Sequence, residues 1–253
     1  MKRQKIRKTM LILSLLLFPI TMYYFSPYLI IDGAMQGIVS GSFLVFLLMI
    51  LAGIFLGRAF CGHLCPMGGL QECLMQVNDA PVEGRKLHRI RYAIWGIWLA
   101  AIVLCIGIHG GLQKIEPLYM TDHGISISEI GCYVIYYIVL LLVVIPTILL
   151  GRRAFCHTFC WMSPFMILGM KIRKTLHLPA LHVKADADKC IHCGRCSRGC
   201  PMSISVEKLV ENGEIVDSEC INCGHCVDNC KKNALSYTFA KEKEKANGKR
   251  EKN

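Results

Sequence analysis

Fifteen cysteines stand in this 253-residue chain, and eight of them fall into two runs of one pattern. Cys190, Cys193, Cys196 and Cys200 form the first run and Cys220, Cys223, Cys226 and Cys230 the second, each reading C-x2-C-x2-C-x3-C. Thiolates two residues apart on a tight loop reach three corners of one iron–sulfur cube, and the fourth cysteine, starting a helix, is carried to a second cube. The spacing predicts one 4Fe-4S cluster on Cys190, Cys193, Cys196 and Cys230, and another on Cys220, Cys223, Cys226 and Cys200. The runs repeat at a 30-residue period that matches Ile191 with Ile221 and Gly194 with Gly224, glycines whose freedom at positive φ lets the loop close on a cluster. Asn212–Gly213 between Val210 and Ile215 reads as a hairpin turn joining the halves. Two zinc sites would leave the third closely spaced cysteine redundant, and disulfides need an oxidising compartment that the topology below denies them.

A second constellation lies upstream. Gly57-Arg58-Ala59-Phe60-Cys61-Gly62-His63-Leu64-Cys65-Pro66 is echoed by Gly151-Arg152-Arg153-Ala154-Phe155-Cys156-His157-Thr158-Phe159-Cys160-Trp161, with each cysteine 95 residues from its counterpart. Cysteines four apart share a helical face. Cys61, Cys65, Cys156 and Cys160 can therefore converge on a metal or a cluster, or act as two dithiols. His63 and His157, inside the motifs, are candidate proton acceptors or ligands. The other polar candidates are His109, Glu116, Asp122, His123 and Glu129, on the opposite side. The motif arginines are expected to anchor at a lipid interface and the glycines to end helices. Cys73, Cys105 and Cys132 have no patterned partners and read as small hydrophobes.

The elements that must hold these residues are apolar. The chain is 53% hydrophobic and 19% charged with a mean hydropathy of +0.42, and Thr9–Ile31, Gly33–Gly57, Tyr92–Gln113 and Ile130–Gly151 carry no Asp, Glu, Lys or Arg. Each is long enough for a helix to cross about 30 Å of hydrocarbon. The first follows five basic residues but lacks a cleavage pattern, so it reads as a retained helix with Pro19 as a kink. Lysine and arginine counts of 5, 0, 5, 1 and 5 across the flanking segments place both termini in the cytoplasm. Those side chains account for the net charge of +11 without nucleic acid. Pro164–Met170 reads as a short interfacial helix. The expected fold is an α-helical membrane protein of four transmembrane helices, a duplicated helix pair, over residues 1–176. A small α+β dicluster ferredoxin follows over 177–240, and a disordered basic tail over 241–253. No histidine pair sits at opposing depths in the spans, which argues against a membrane haem.

Residues 185–240 resemble a bacterial two-cluster ferredoxin, with Lys231 where the first half has Pro201. Residues 10–240, with two C-x3-C motifs on a helical core ahead of that ferredoxin, resemble the NapH-type membrane ferredoxins and their NosR and RdxA/FixG/CcoG polyferredoxin relatives. Cys61-Gly62-His63-Leu64-Cys65-Pro66 matches the family motif in full; Cys156 to Cys160 is followed by Trp161 in place of proline. The resemblance implies a multi-pass inner-membrane electron-transfer subunit of quinol-dehydrogenase type. Two 4Fe-4S clusters would link the quinone pool or a membrane partner to a redox partner protein, with room for a quinone or an additional metal at the C-x3-C site. Two other readings are a copper reductase or assembly factor using the C-x3-C thiols, and a redox-sensing regulator.

Overall fold

The computed structural model describes residues 2–82 and 87–242. The N-terminal part is helical. Helix α1 (Lys2–Leu16) is followed by α2 (Phe18–Thr21), a 3-10 turn at Met22–Phe25 and α3 (Pro27–Met35). The expected single span over 9–31 is therefore broken. Pro19 and Pro27 each remove a backbone donor, and the chain bends by 60° between Lys2–Leu16 and Phe18–Phe25.

The second apolar run is shortened by a pairing that hydropathy does not report. Strand β1 (Ile38–Ser40) lies parallel to β2 (Lys114–Glu116), with Ile38 opposite Lys114. Helix α4 (Gly41–Leu56) starts only after it, where the Ser40 hydroxyl accepts a hydrogen bond from the Phe43 N–H at 3.4 Å. At 16 residues α4 is about 24 Å long. Among the described residues, two helices are long and apolar enough to cross a membrane, α7 (Leu87–His109) and α8 (Ile130–Leu150), or three if the bent pair counts as one span.

The 95-residue repeat is visible as structure. Gly57 at φ 60° closes α4 and Gly151 at φ 105° closes α8. Five-residue helices α5 (Ala59–His63) and α9 (Ala154–Thr158) follow, then α6 (Pro66–Leu74) and α10 (Ser163–Thr175). Pro164–Met170, expected at an interface, lies instead within α10, whose Phe165, Met166, Ile167 and Gly169 are buried. α10 packs on α4 where both helices carry glycine. A Cβ on Gly53 would sit 2.4 Å from the Met166 carbonyl oxygen, and one on Gly169 would sit 2.2 Å from that of Ile50.

The C-terminal part is an antiparallel sheet in the order β4-β3-β5, with β3 (Ala180–Ala185) central, β4 (Glu214–Ile215) and β5 (Leu235–Ala240). Val183 of β3 faces Ile215 on one side and Tyr237 on the other. The helices α11 (Arg195–Arg198) and α13 (His225–Asp228) precede the fourth cysteine of each run, where the sequence pointed to a helix after it. Gly194 and Gly224 start these helices at φ 68° and 72°. The expected hairpin at Asn212–Gly213 is a helix–turn–strand: Val210 ends α12 (Val206–Val210), and Gly213 turns at φ 74° into β4. Of the expected tail, Glu242 forms an ion pair with Arg173, and residues 243–253 lie outside the described part.

The glycine contact has a measurable consequence. Gly53→Leu is expected to cost about 1–3 kcal/mol by overpacking, lowering the thermal midpoint of the detergent-solubilised protein. Gly96→Leu, where a Cβ has open space within 4 Å, should leave it unchanged. Equal midpoints for both variants would reject the crossing.

Candidate functional site

The eight C-terminal cysteines line two cavities, and their distribution follows the crossed pattern. One, of about 170 Å³, is lined by Cys190, Cys193, Cys196 and Cys230 together with Ile191, Val210, Ala234 and Leu235. The other, of about 20 Å³, is lined by Cys220, Cys223, Cys226 and Cys200 with Val183, Ile204 and Ile215. The second set is the more enclosed. Burial pushes the Cys200 thiol up to about 11 and the Cys220 thiol up to about 12. Cys193 of the first set is exposed. Burial thus keeps the Cys200 and Cys220 thiols protonated, and ligation to iron requires that the protons be released.

The four upstream cysteines come together as well. Cys61, Cys65, Cys156 and Cys160 are 3–4% exposed, and they lie within electrostatic reach of one another. Burial, and then the neighbouring Cys160, push the Cys156 thiol up to about 12. The Cys65 thiol is driven well up by burial and by the other three sulfurs. Gln71 donates to Cys156 Sγ at 3.1 Å, and Met166 Sδ lies 3.9 Å from Cys61 Sγ.

Around these sulfurs the motif arginines do something other than anchor in lipid. Arg58 and Arg153 are fully buried, and each meets a buried carboxylate. Glu72 on α6 receives both nitrogens of Arg7, at 2.6 and 2.7 Å, and Arg153 Nη2 at 2.5 Å. Glu219, immediately before Cys220, receives Arg58 Nη1 at 2.7 Å and Arg91 Nη2 at 2.6 Å. The same guanidiniums donate to the motif backbone: Arg153 to Cys61 O at 2.8 Å, Arg7 to Gly62 O at 3.0 Å and Arg91 to Cys156 O at 2.9 Å. Burial raises the Glu72 carboxyl, but Arg153 and Arg7 outweigh it and bring it down to about 2. Glu219 is held well below the carboxylate range by Arg58 and Arg91 against the same penalty. Arg58 Nε and Nη2, Arg153 Nε and Arg91 Nε are buried without an acceptor among the described residues.

The two motif histidines part company. His63 Nδ1 turns back onto Ala59 O at 3.0 Å, half-buried on its own helix. His157 stacks on His88, with Nδ1 3.0 Å from His88 Nε2 and 3.9 Å from Glu219. Burial lowers the His157 pKa to about 4, so the ring is neutral near pH 7. His88, His157 and Glu219 are grouped closely enough to hold a metal ion. With Glu219 already neutralised by two arginines, however, the pair is better described as hydrogen-bonded rings in a cationic surround. The outer candidates do not join this site. Glu116 pairs with Lys114, His123 pairs with Asp122 at 2.7 Å, and His109 and Glu129 sit at the far ends of α7 and α8 from the cysteine motifs.

Spacing did not reveal the carboxylates, because Glu72 and Glu219 lie 81 and 161 residues from the motif arginines that they meet. One signal was present: Glu219 precedes Cys220 where Lys189 precedes Cys190.

Comparison with known proteins agrees with this chemistry. Residues 182–231 match a family described as a 4Fe-4S dicluster domain. Residues 38–88 and 134–179, which carry the two C-x3-C motifs, match one described as a 4Fe-4S binding domain. The chain is 25% identical over 237 residues to the "Putative electron transport protein YccM" of Escherichia coli, covering 88% of this chain and 62% of that protein. It is 28% identical to the "Methylamine utilization ferredoxin-type protein MauN" of Paracoccus denitrificans over 69% of this chain and 60% of that one. It is also 25% identical to the uncharacterised MJ0750 of Methanocaldococcus jannaschii, over 74% of each. No solved structure matches. The fold and site thus define an iron–sulfur protein of ferredoxin type. The chain spans less than two thirds of the length of YccM and MauN, and its long apolar helices indicate association with a membrane.

The Glu72 network makes a stability prediction. Glu72→Ala leaves Arg7 and Arg153 buried and unpaired, and should cost about 3–5 kcal/mol, read as a lower denaturation midpoint in detergent. Because the carboxyl is depressed to about 2, its contribution is complete above the ordinary carboxylate range and is lost only as pH falls through about 2. An unchanged midpoint at neutral pH would show that the network is dispensable.

Proposed function

We propose that the chain is a membrane-embedded electron-transfer subunit that carries three 4Fe-4S centres. Two belong to a ferredoxin domain over about 177–240, ligated by Cys190, Cys193, Cys196 and Cys230 and by Cys220, Cys223, Cys226 and Cys200. The single observation that carries this is that the two cavities sort the eight cysteines into those two sets. The third centre is assigned to Cys61, Cys65, Cys156 and Cys160. Four guanidiniums face two carboxylates around this site, an excess of two positive charges. A cubane held by four thiolates carries about two negative charges, and its sulfurs would supply acceptors for the orphaned arginine N–H groups.

When bound, such centres supply one-electron chemistry; the residues of this chain do the rest. The cysteines fix the centres, the buried apolar walls exclude water, and Arg58 and Arg153 hold positive charge where negative charge is to reside. The His88–His157 pair keeps a neutral hydrogen-bonded ring beside that charge. The helical part, residues 1–176, is read as a four-helix NapH-type membrane unit with a broken first span and a short second one. Both termini and the ferredoxin lie on the cytoplasmic side of the inner membrane, and the unit exchanges electrons between the quinone pool, or a membrane partner, and a redox protein.

Anaerobic iron and sulfide analysis tests the assignment. The wild type should hold about twelve irons, and a variant with Cys61, Cys65, Cys156 and Cys160 all changed to Ser should hold about eight, with the ferredoxin EPR signals intact. Eight irons in both would remove the third centre. Fewer than about eight in a fully loaded wild type would overturn the dicluster reading.

A further inference from the structure

The 30-residue repeat gives the ferredoxin-type domain two related faces, and the chain treats them oppositely. The face of the second run is seated on the helical part. Ile221 is 2% exposed, and a Cβ on Gly62 would sit 2.3 Å from its carbonyl oxygen. Asn222 donates to Leu56 O at 3.0 Å, Glu219 binds Arg58 and Arg91, and Asp228 binds Arg3 at 2.5 Å. This face therefore docks by placing acidic side chains against arginines of the helical part.

The face of the first run carries the counterparts of these residues with the charge reversed. Ile191, which corresponds to Ile221, is 61% exposed. Lys189 stands for Glu219 and Arg198 for Asp228, while exposed Lys231 and Lys232 stand for buried Pro201 and Met202. Even the backbone is shared: His192 and Asn222 both sit at φ 49°, yet Asn222 is buried and His192 exposed. The rim also holds exposed Arg195. Against these stand Asp186, paired with Lys189 at 2.7 Å, Asp188 and Glu207, so positive charge prevails. Among the described residues, no hydrogen bond or ion pair joins Cys190–Arg195 or Lys231–Lys232 to the helical part; Arg198 meets it through its backbone carbonyl, which accepts from Arg152 at 2.6 Å, while its guanidinium turns back to Cys193 O.

We infer that the exposed face around Cys190, Cys193, Lys231 and Lys232 is a docking surface for a soluble redox protein that presents acidic side chains. The partner takes the place that the helical part occupies on the other face, with the charges exchanged. Its electron enters or leaves beside Cys193, the most accessible of the eight thiols in the two runs. This rests on the reading that the cavity lined by Cys190, Cys193, Cys196 and Cys230 holds a 4Fe-4S cluster.

The test uses the full-length holoprotein in nanodiscs and reads how dissolved paramagnets relax the EPR signal of that cluster, identified as the signal missing from Cys193→Ser. The trianion tris(oxalato)chromate(III) should relax it more strongly than the trication hexaamminechromium(III), by about three-fold at low ionic strength. The preference should vanish near about 0.5 M salt and reverse in a Lys231→Glu/Lys232→Glu variant with unchanged iron content. Equal relaxation by both reagents, or no change in the variant, would overturn the proposal. So would protection of the signal from the anion in nanodiscs of anionic lipid but not in zwitterionic ones, which would assign the face to the membrane surface. If no signal depends on Cys193 and iron falls below about eight per chain, the failure lies with the cluster reading.

Discussion

Buried guanidinium charge is the constraint on which the rest of the fold depends. Arg58 and Arg153 sit one turn ahead of the paired cysteines with no exposed surface, and charge in such a place must be matched. The matching carboxylates come from different elements. Glu72 lies on the helix after the first motif, whereas Glu219 lies at the first cysteine of the second ferredoxin run. The pairs therefore fix where α6 crosses α1 and where the ferredoxin-type domain sits on the helices. Arg153 and Arg91 also hold the carbonyls of Cys61 and Cys156, and Arg7 holds that of Gly62 beside Cys61, so one set of side chains neutralises charge and orients the thiol loops.

Duplication is used twice and broken twice. The helix, glycine turn and short cysteine helix recur after 95 residues, and the cysteine loop of the ferredoxin recurs after 30. Each copy then departs where its surroundings differ. The position 95 residues beyond Glu72 is Ile167, a buried core residue, so Arg153 of the second motif shares Glu72 with Arg7, and Arg58 of the first motif takes its carboxylate, Glu219, from the C-terminal part. In the ferredoxin-type domain, the half that meets the helical part has buried Pro201 and Met202 where the other has exposed Lys231 and Lys232.

What the sequence made legible follows the range of the interactions. The cysteine loops, the positive-φ glycines Gly194 and Gly224 and the helix-ending Gly57 and Gly151 were readable because a few adjacent residues determine them. The kink near Pro19 was readable for the same reason. The four uninterrupted spans were not, because hydropathy counts apolar residues without seeing that Ile38–Ser40 pairs with Lys114–Glu116, 76 residues away. Asn212–Gly213 looked like a hairpin because the turn chemistry is right, but Val210 is claimed by a helix. The arginines were misplaced in lipid because their acidic partners are remote in sequence, and a solvated face and a buried ion pair look alike until the chain is folded.

The location of Glu219 also bears on how the protein is made. Arg58 and Arg91 are synthesised more than a hundred residues before their carboxylate, so the nascent helices hold two cations without a counter-ion while the ribosome finishes the chain. Neutralisation of Arg58 in the first cysteine motif, and of Arg91 beside the second, must wait for the C-terminal segment to emerge and dock. Biogenesis therefore has an order written into it. A chain terminated before Glu219 leaves Arg58 and Arg91 without their carboxylate, so the helices cannot settle around those cations until the segment that carries the opposite charge has been made.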